Sequence, residues 1–223
     1  MTTRHVRPGR LLLTVTLLAA AARTIASGTA LAAPAAPVGA RQLITVTAAS
    51  RASSYATFRG YQVTGGKRVL VFGPWTARVG YNGIAAPGAK REGDGRTPSG
   101  SYGFSFFFGV DPSPGVHYSY RHAYTDDYWD DDPASSRYNE WVDAAAASPG
   151  RDPEPLHNVP AYDYAAVIAY NTARVPGRGS AIFLHVGTGG ATAGCVSLPL
   201  AELLKVLRWL RPAAQPRISI SAP

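Results

Sequence analysis

Short apolar runs of strand length, broken by turn residues, make up most of this chain. Residues 42–46 alternate weakly and read as a first strand. Residues 55–63 and 68–79 are rich in Tyr, Phe and Val, and Thr64-Gly65-Gly66-Lys67 between them has hairpin-turn composition. A long loop follows over 81–99, with many Gly, two Pro and the charged stretch KREGDGR. Residues 101–108 read as an aromatic strand. Residues 109–160 are irregular, hold most of the acidic side chains and include a short predicted helix over 136–147. Two more apolar runs, 164–170 and 181–185, have strand length. At 199–210 the period changes: Leu200, Leu203, Leu204, Leu207 and Leu210 fall on one helical face. Pro199 suits the first turn and Glu202 the positive end of the dipole; Lys205, Arg208 and Arg211 suit the other end, and Pro212 stops the helix. Residues 217–220 close as a strand. The predicted fold is mostly β, a sandwich or barrel with one C-terminal helix packed on it.

Composition agrees with many short elements: 23 Gly and 18 Pro in 223 residues, with 12 Tyr and 4 Trp. The N-terminus changes the charge picture. Arg4, Arg7 and Arg10 precede an apolar run over 11–22 that is short for a bilayer span, and Ala30-Leu31-Ala32 has signal-peptidase spacing. Residues 1–32 are therefore expected to be a signal peptide, 33–40 (APAAPVGA) a linker and 41–223 one domain; a retained membrane anchor is the alternative. The formal charge is +8, but four of the cations lie in the first 32 residues, leaving 18 basic against 14 acidic residues. The first acidic residue is Glu92. Mild positive charge suits a polyanionic cell wall, and with no Lys/Arg cluster or basic helix a nucleic-acid partner is not expected. The expected protein is secreted, touches the membrane only transiently during export, and is a monomer.

A lone cysteine in an exported chain closes no internal disulfide; it is an intermolecular link, a reactive thiol or a buried passenger. In AIFLHVGTGGATAGCVS, residues 181–197, an apolar strand ends at His185, and Cys195 stands ten residues on, after a glycine-rich loop. A strand, a loop and a return can bring the two side by side. Cysteine acyl transfer needs this pair: a thiolate nucleophile and an imidazole that takes the proton and later returns it to the leaving amine. Gly194 clears space beside the sulfur, and the backbone N–H groups of Gly194 and Cys195 are candidates for an oxyanion hole. The loop lacks the Lys of a phosphate-binding loop. No second Cys or partnered His stands at ligand spacing, so neither metal nor cofactor is expected. Residues 126–132, DDYWDDD, lack the Gly and terminal Glu of a calcium loop and read as a solvated acidic loop. Trp129, with Trp141, is a candidate lining for a sugar or stem-peptide groove.

His185, Gly187 and Thr192-Ala193-Gly194-Cys195, together with the upstream loop of residues 90–100, resemble the L,D-transpeptidase catalytic domain, also called YkuD-like, in a secreted, actinobacterial-type form. The resemblance runs from about 81 to 199. It implies a mostly β fold and peptidoglycan stem peptides as partners. Cys195 would attack a bond next to D-Ala, and the acyl enzyme would pass to an amine or to water. The resemblance also implies a backbone carbonyl beside His185, near Val186, as third member of the site, and substrate-binding roles for Thr192 and Ser197. Two positions depart from the family pattern. Ala193 stands where most members have His, and Ser197 where most have Arg or Asn. These departures keep an L,D-carboxypeptidase and a catalytically weak wall-binding protein open as alternatives. An unrelated secreted cysteine peptidase is a third.

Overall fold

The structure, a computed structural model, describes residues 1–3 and 39–223. The signal-peptide and linker readings lie outside these residues, apart from residues 1–3, Gly39 and Ala40. The chain divides into two units, Met1–Ala33 and Pro34–Pro223; the second carries everything described below. Its strands are β1 (Gln42–Ala48), β2 (Tyr55–Thr64), β3 (Lys67–Arg78), β4 (Gly100–Tyr102), β5 (Phe104–Gly109), β6 (Tyr120–His122), β7 (Asp127–Asp130), β8 (Glu140–Asp143), β9 (Glu154–Pro155), β10 (Ala165–Ile168), β11 (Phe183–Val186), β12 (Val196–Leu198) and β13 (Arg217–Ser221). Helix α1 (Leu200–Trp209) and a 3-10 turn at Pro212–Ala214 precede β13.

Ten strands form one curled sheet in the order β4-β13-β1-β2-β3-β12-β11-β10-β5-β6. The β2–β3 hairpin turns at Gly65 (φ +55°) and Gly66 (φ +76°), the left-handed backbone that a tight two-residue hairpin requires. The C-terminal strand β13 returns to pair in parallel with β1, Ile218 beside Ile44. At the sheet centre β10 and β11 are buried along their whole length, which explains why AAVI and FLHV read as continuous apolar runs rather than alternating ones.

The two faces of this central region have different covers. Ala166, Ile168, Leu184, Val186, Val196 and Leu198 face the main core with α1. Helix α1 buries Leu203, Val206 and Leu207, with Leu210 buried just beyond its end. This i, i+3, i+4, i+7 stripe uses Val206, and Leu200, expected on it, is 42% exposed. Phe108, Ala165, Val167, Phe183 and Cys195 point the other way, into a second cluster closed by Trp129, Leu156 and Tyr162.

That second cover is the segment 109–160, and it is more ordered than its sequence implies. β6 joins the main sheet beside β5, and β7, β8 and β9 form a separate three-stranded sheet in the order β8-β7-β9. The helix expected over 136–147 is absent: β8 occupies its middle, and Trp141 pairs with Trp129 across the ladder. Asn139 enters β8 with φ +62°, which a helix forbids. Nor is the acidic run a solvated loop. Asp127 and Asp130 are buried; Asp127 accepts from Trp141 Nε1 at 2.7 Å and Tyr124 N–H at 2.8 Å, and Asp130 from Ser135 Oγ and Gly150 N–H. These carboxylates satisfy the turn amides of the insert.

Candidate active site

β11 and β12 are parallel neighbours, joined by residues 187–195 alone. Parallel strands ordinarily need a crossover of a dozen or more residues. This one is shorter because the strands it links have four and three residues. The register sets His185 opposite Ser197 and Leu184 opposite Val196. Cys195, two residues before Ser197, therefore lies level with Phe183 and shares its face with His185 as a diagonal neighbour.

The turn before the nucleophile is tied down by two threonines. Thr192 Oγ1 donates to the Cys195 carbonyl at 2.7 Å and accepts from Gly194 N–H at 3.2 Å. Thr97 Oγ1 donates to the same carbonyl at 3.1 Å while accepting from Gly80 N–H. The Thr192 backbone bonds Val79 and Tyr81, pinning the loop to the end of β3. The spacing Thr-x-Gly-Cys thus encodes a closed local turn. Gly194 has a steric reason as well: a Cβ there would meet Arg96 O at 3.1 Å and Ile182 Cδ1 at 3.3 Å. The clearance expected beside the sulfur is filled by protein, and the Gly194 N–H is engaged by Thr192. Thr192→Val removes both hydroxyl bonds at nearly constant volume. It is expected to cost about 1–2 kcal/mol in denaturant unfolding and to lower turnover roughly tenfold or more by loosening the sulfur's position.

The thiol is almost fully buried. Its Sγ donates to Ala181 O at 3.2 Å and accepts from Phe183 N–H at 3.3 Å. Burial pushes its pKa far up and the Glu154 charge adds to this, while Phe183 N–H, Lys90 and Tyr162 pull down. His185 Nδ1 lies 2.8 Å from Val186 O. A carbonyl only accepts, so Nδ1 carries the hydrogen and Nε2 keeps its lone pair. Burial lowers the imidazole pKa to about 4, against smaller pulls upward from the Val186 and Ala161 carbonyls. At neutral pH the resting pair is thiol and neutral imidazole.

Both residues line one cavity of about 280 Å³. Thr192, Gly194 and Ser197 line it too. Trp129 does not: it is buried, packs against Phe183 with ring centroids 5.1 Å apart and donates to Asn139. Trp129 borders a neighbouring cavity of about 490 Å³ with Phe106, Arg121, Trp141 and Tyr170. Ile182 lines both cavities.

Several lining residues were not legible as site residues. The Tyr162 ring stands edge-on to His185 at 5.4 Å, and its hydroxyl donates to Glu154. Glu92 accepts from Tyr138 and from Ser180 at 2.7 Å. Asp131 shares the wall, and Lys90 is paired with Asp94 at 2.6 Å. Burial first, then the charges of Asp131 and Glu92, push Glu154 up to about 7, with the Tyr162 bond opposing. Asp131 rises to about 6, by partial burial and then the Glu92 charge. KREGDGR was the one sequence signal for this wall; Tyr162 and Glu154 had none. Among the described residues no group of three or more His, Cys, Asp or Glu is placed to hold a metal.

The raised Glu154 pKa has a stability consequence. The folded state favours the protonated carboxyl, so its contribution is complete below about 4.5 and lost as pH rises through about 7. Glu154→Gln, which mimics the protonated form, is expected to stabilise the protein by about 3 kcal/mol at pH 8.5 and by almost nothing at pH 4.5. Denaturant unfolding at the two pH values reads the difference.

A family model for the L,D-transpeptidase catalytic domain (YkuD) matches residues 52–218. No curated protein and no solved structure matches the chain.

Proposed function

As a member of the L,D-transpeptidase catalytic-domain family, matched across residues 52–218, the chain has a candidate reaction, and we propose that it carries out cysteine-dependent acyl transfer on peptidoglycan stem peptides. The family acts on such peptides. The observation that carries the proposal is that His185, whose Nδ1–H is held by Val186 O so that Nε2 keeps its lone pair, lines the same cavity as Cys195.

In this reading His185 Nε2 takes the proton from Cys195 as Sγ attacks the carbonyl that precedes D-alanine. The tetrahedral intermediate collapses to a thioester, and the proton on Nε2 goes to the departing D-alanine amine. An acceptor amine then attacks the thioester, giving its proton to Nε2. The amide forms, and the thiolate leaves and recovers that proton. The backbone N–H of Cys195 is the available partner for the oxyanion, and the hydroxyl of Tyr162, which lines the same cavity, becomes one when it releases Glu154. Gly194 N–H joins them when it releases Thr192. Thr192 holds the nucleophile turn, and Ser197 lines the wall opposite His185. The cavity bordered by Trp129 would receive the part of the substrate beyond the reacting carbonyl. The carboxylates of Glu92, Asp131 and Glu154 favour a donor or acceptor that carries an ammonium group. The protein works outside the cytoplasm, after export directed by residues 1–32.

Water can replace the amine, and a carboxylate beside the thiol supports that second reading: Glu154, with a pKa near 7, can take a proton from attacking water. Incubating the protein with a tetrapeptide muropeptide and excess D-methionine separates the two. D-Ala replaced by D-Met is the expected product; loss of D-Ala without replacement makes the protein an L,D-carboxypeptidase. An unchanged muropeptide contradicts both.

A further inference from the structure

Carboxylates wall the cavity in which the thiol must lose its proton. Glu92, Asp131 and Glu154 line it with Cys195, and negative charge on them opposes a thiolate. His185 rests uncharged and gains charge only with the thiol's proton. β12 brings no cation, since Ser197 stands opposite His185. Among the described residues Lys90 is the only Lys or Arg that lines the cavity.

A lysine is costly to place there. Lys90 is 5% exposed, and lysine is almost never buried so far without a partner. Room for its stem comes from Gly179 (φ +97°), where a Cβ would meet Lys90 Cε at 2.9 Å and Cγ at 3.0 Å. Nζ reaches the nucleophile turn: it lies 3.7 Å from the position that a Cβ on Gly194 would take. An ammonium has three donors. Nζ donates to Asp94 Oδ1 at 2.6 Å and to Arg91 O at 2.8 Å, and among the described residues none accepts the third. Asp94 does not line the cavity. The ammonium thus stands at the wall beside residue 194, and its counter-ion stays out of the lining. Bracing the 90–96 loop would need the ion pair, but neither the spare donor nor the place in the wall.

We propose that the Lys90 ammonium stabilises the negative charge that Cys195 Sγ acquires when His185 takes its proton, and that Asp94 limits how strongly it does so. The proposal rests on Cys195 being the nucleophile of the reaction above. Lys90 is a positioning residue in this role: it acts through the thiolate and touches no substrate atom. Its pull on the thiol runs in the same direction as those of Phe183 N–H and Tyr162, against burial and the Glu154 charge.

Alkylation by iodoacetamide tests this in the full chain, because the thiolate is the reacting form and Cys195 is the one cysteine. Rates are measured between about pH 7 and pH 9 for wild type, Lys90→Met and Asp94→Asn. The titratable groups around the thiol are His185, Tyr162, Glu154 and Lys90, with Glu92 and Asp131 farther along the wall; the two variants alter only Lys90 and its counter-ion. Lys90→Met is expected to slow alkylation roughly three- to tenfold at each pH. Asp94→Asn, which frees the ammonium from its counter-ion, is expected to speed it by roughly the same factor. A loop brace predicts the same sign for both, since both break the ion pair. Effects of equal sign, or no effect, overturn the proposal. Should Lys90→Met not fold, Lys90→Gln, which keeps a donor for Asp94, takes its place with the same expected sign. Alkylation needs no peptide. An inert muropeptide would therefore defeat the proposed reaction and leave this result standing, while equal-signed alkylation effects would defeat this inference and leave the reaction standing.

Discussion

Cys195→Ala is expected to abolish acyl transfer, a loss of roughly 10⁴-fold or more, while leaving the fold in place. Every covalent step in the proposed cycle runs through Sγ, and no second cysteine exists to replace it. The structural cost is small because the thiol contributes little that alanine lacks. Its two hydrogen bonds, to Ala181 O and from Phe183 N–H, are longer than 3 Å and involve sulfur, and the cavity next to it already accommodates a small void. A stability loss of about 1 kcal/mol is expected by denaturant unfolding. The carbonyl of residue 195, which Thr97 and Thr192 hold, is untouched by the substitution. Activity lost together with cooperative unfolding would point instead to a buried structural cysteine.

His185→Gln is expected to lower kcat/KM by roughly 10²–10⁴-fold, and the pH dependence identifies why. With the imidazole pKa near 4, the wild-type base stays unprotonated down to about pH 5, so activity is expected to persist at pH 5.5, where an exposed histidine would be mostly protonated. The glutamine variant keeps the polar contact to Val186 and has no proton to exchange, so its residual rate loses that acid limb. Stability follows the same group. The folded pKa is depressed below the unfolded 6.5, so the contribution of neutral His185 is complete above about 6.5 and is lost as pH falls toward 4, a total of about 3 kcal/mol. Unfolding free energies measured from pH 7 to pH 4 should fall less steeply in the variant.

What the sequence made legible was local. Gly65-Gly66 needs left-handed backbone at both positions and turns the hairpin as expected; the leucine period of 199–210 forms α1, shorter by one residue at each end. His185 and Cys195 were readable because a strand, a glycine-rich loop and a second strand fit within ten residues. The insert was not. Residues 136–147 hold an alanine run that favours helix, but Tyr138 and Trp141 bury against partners far along the chain, and pairing with β7 outweighs propensity. The cavity walls were hidden for a similar reason. Thr97 reaches the Cys195 carbonyl across 98 residues and Ser180 reaches Glu92 across 88, and no periodicity announces contacts of that kind. Trp129 shows the converse: its place in an acidic run implied an exposed groove residue, whereas the carboxylates on either side turn inward to backbone amides and carry the indole into the core.

The thioester on Cys195 is the central claim, and intact-protein mass spectrometry reads it directly. The protein is incubated with a tetrapeptide stem donor without an acceptor amine, quenched in acid and digested. The account predicts a mass gain equal to the donor less one D-alanine, confined to the peptide that contains Cys195 and absent from Cys195→Ala. Release of D-alanine by Cys195→Ala, or an adduct on any other residue, would contradict it.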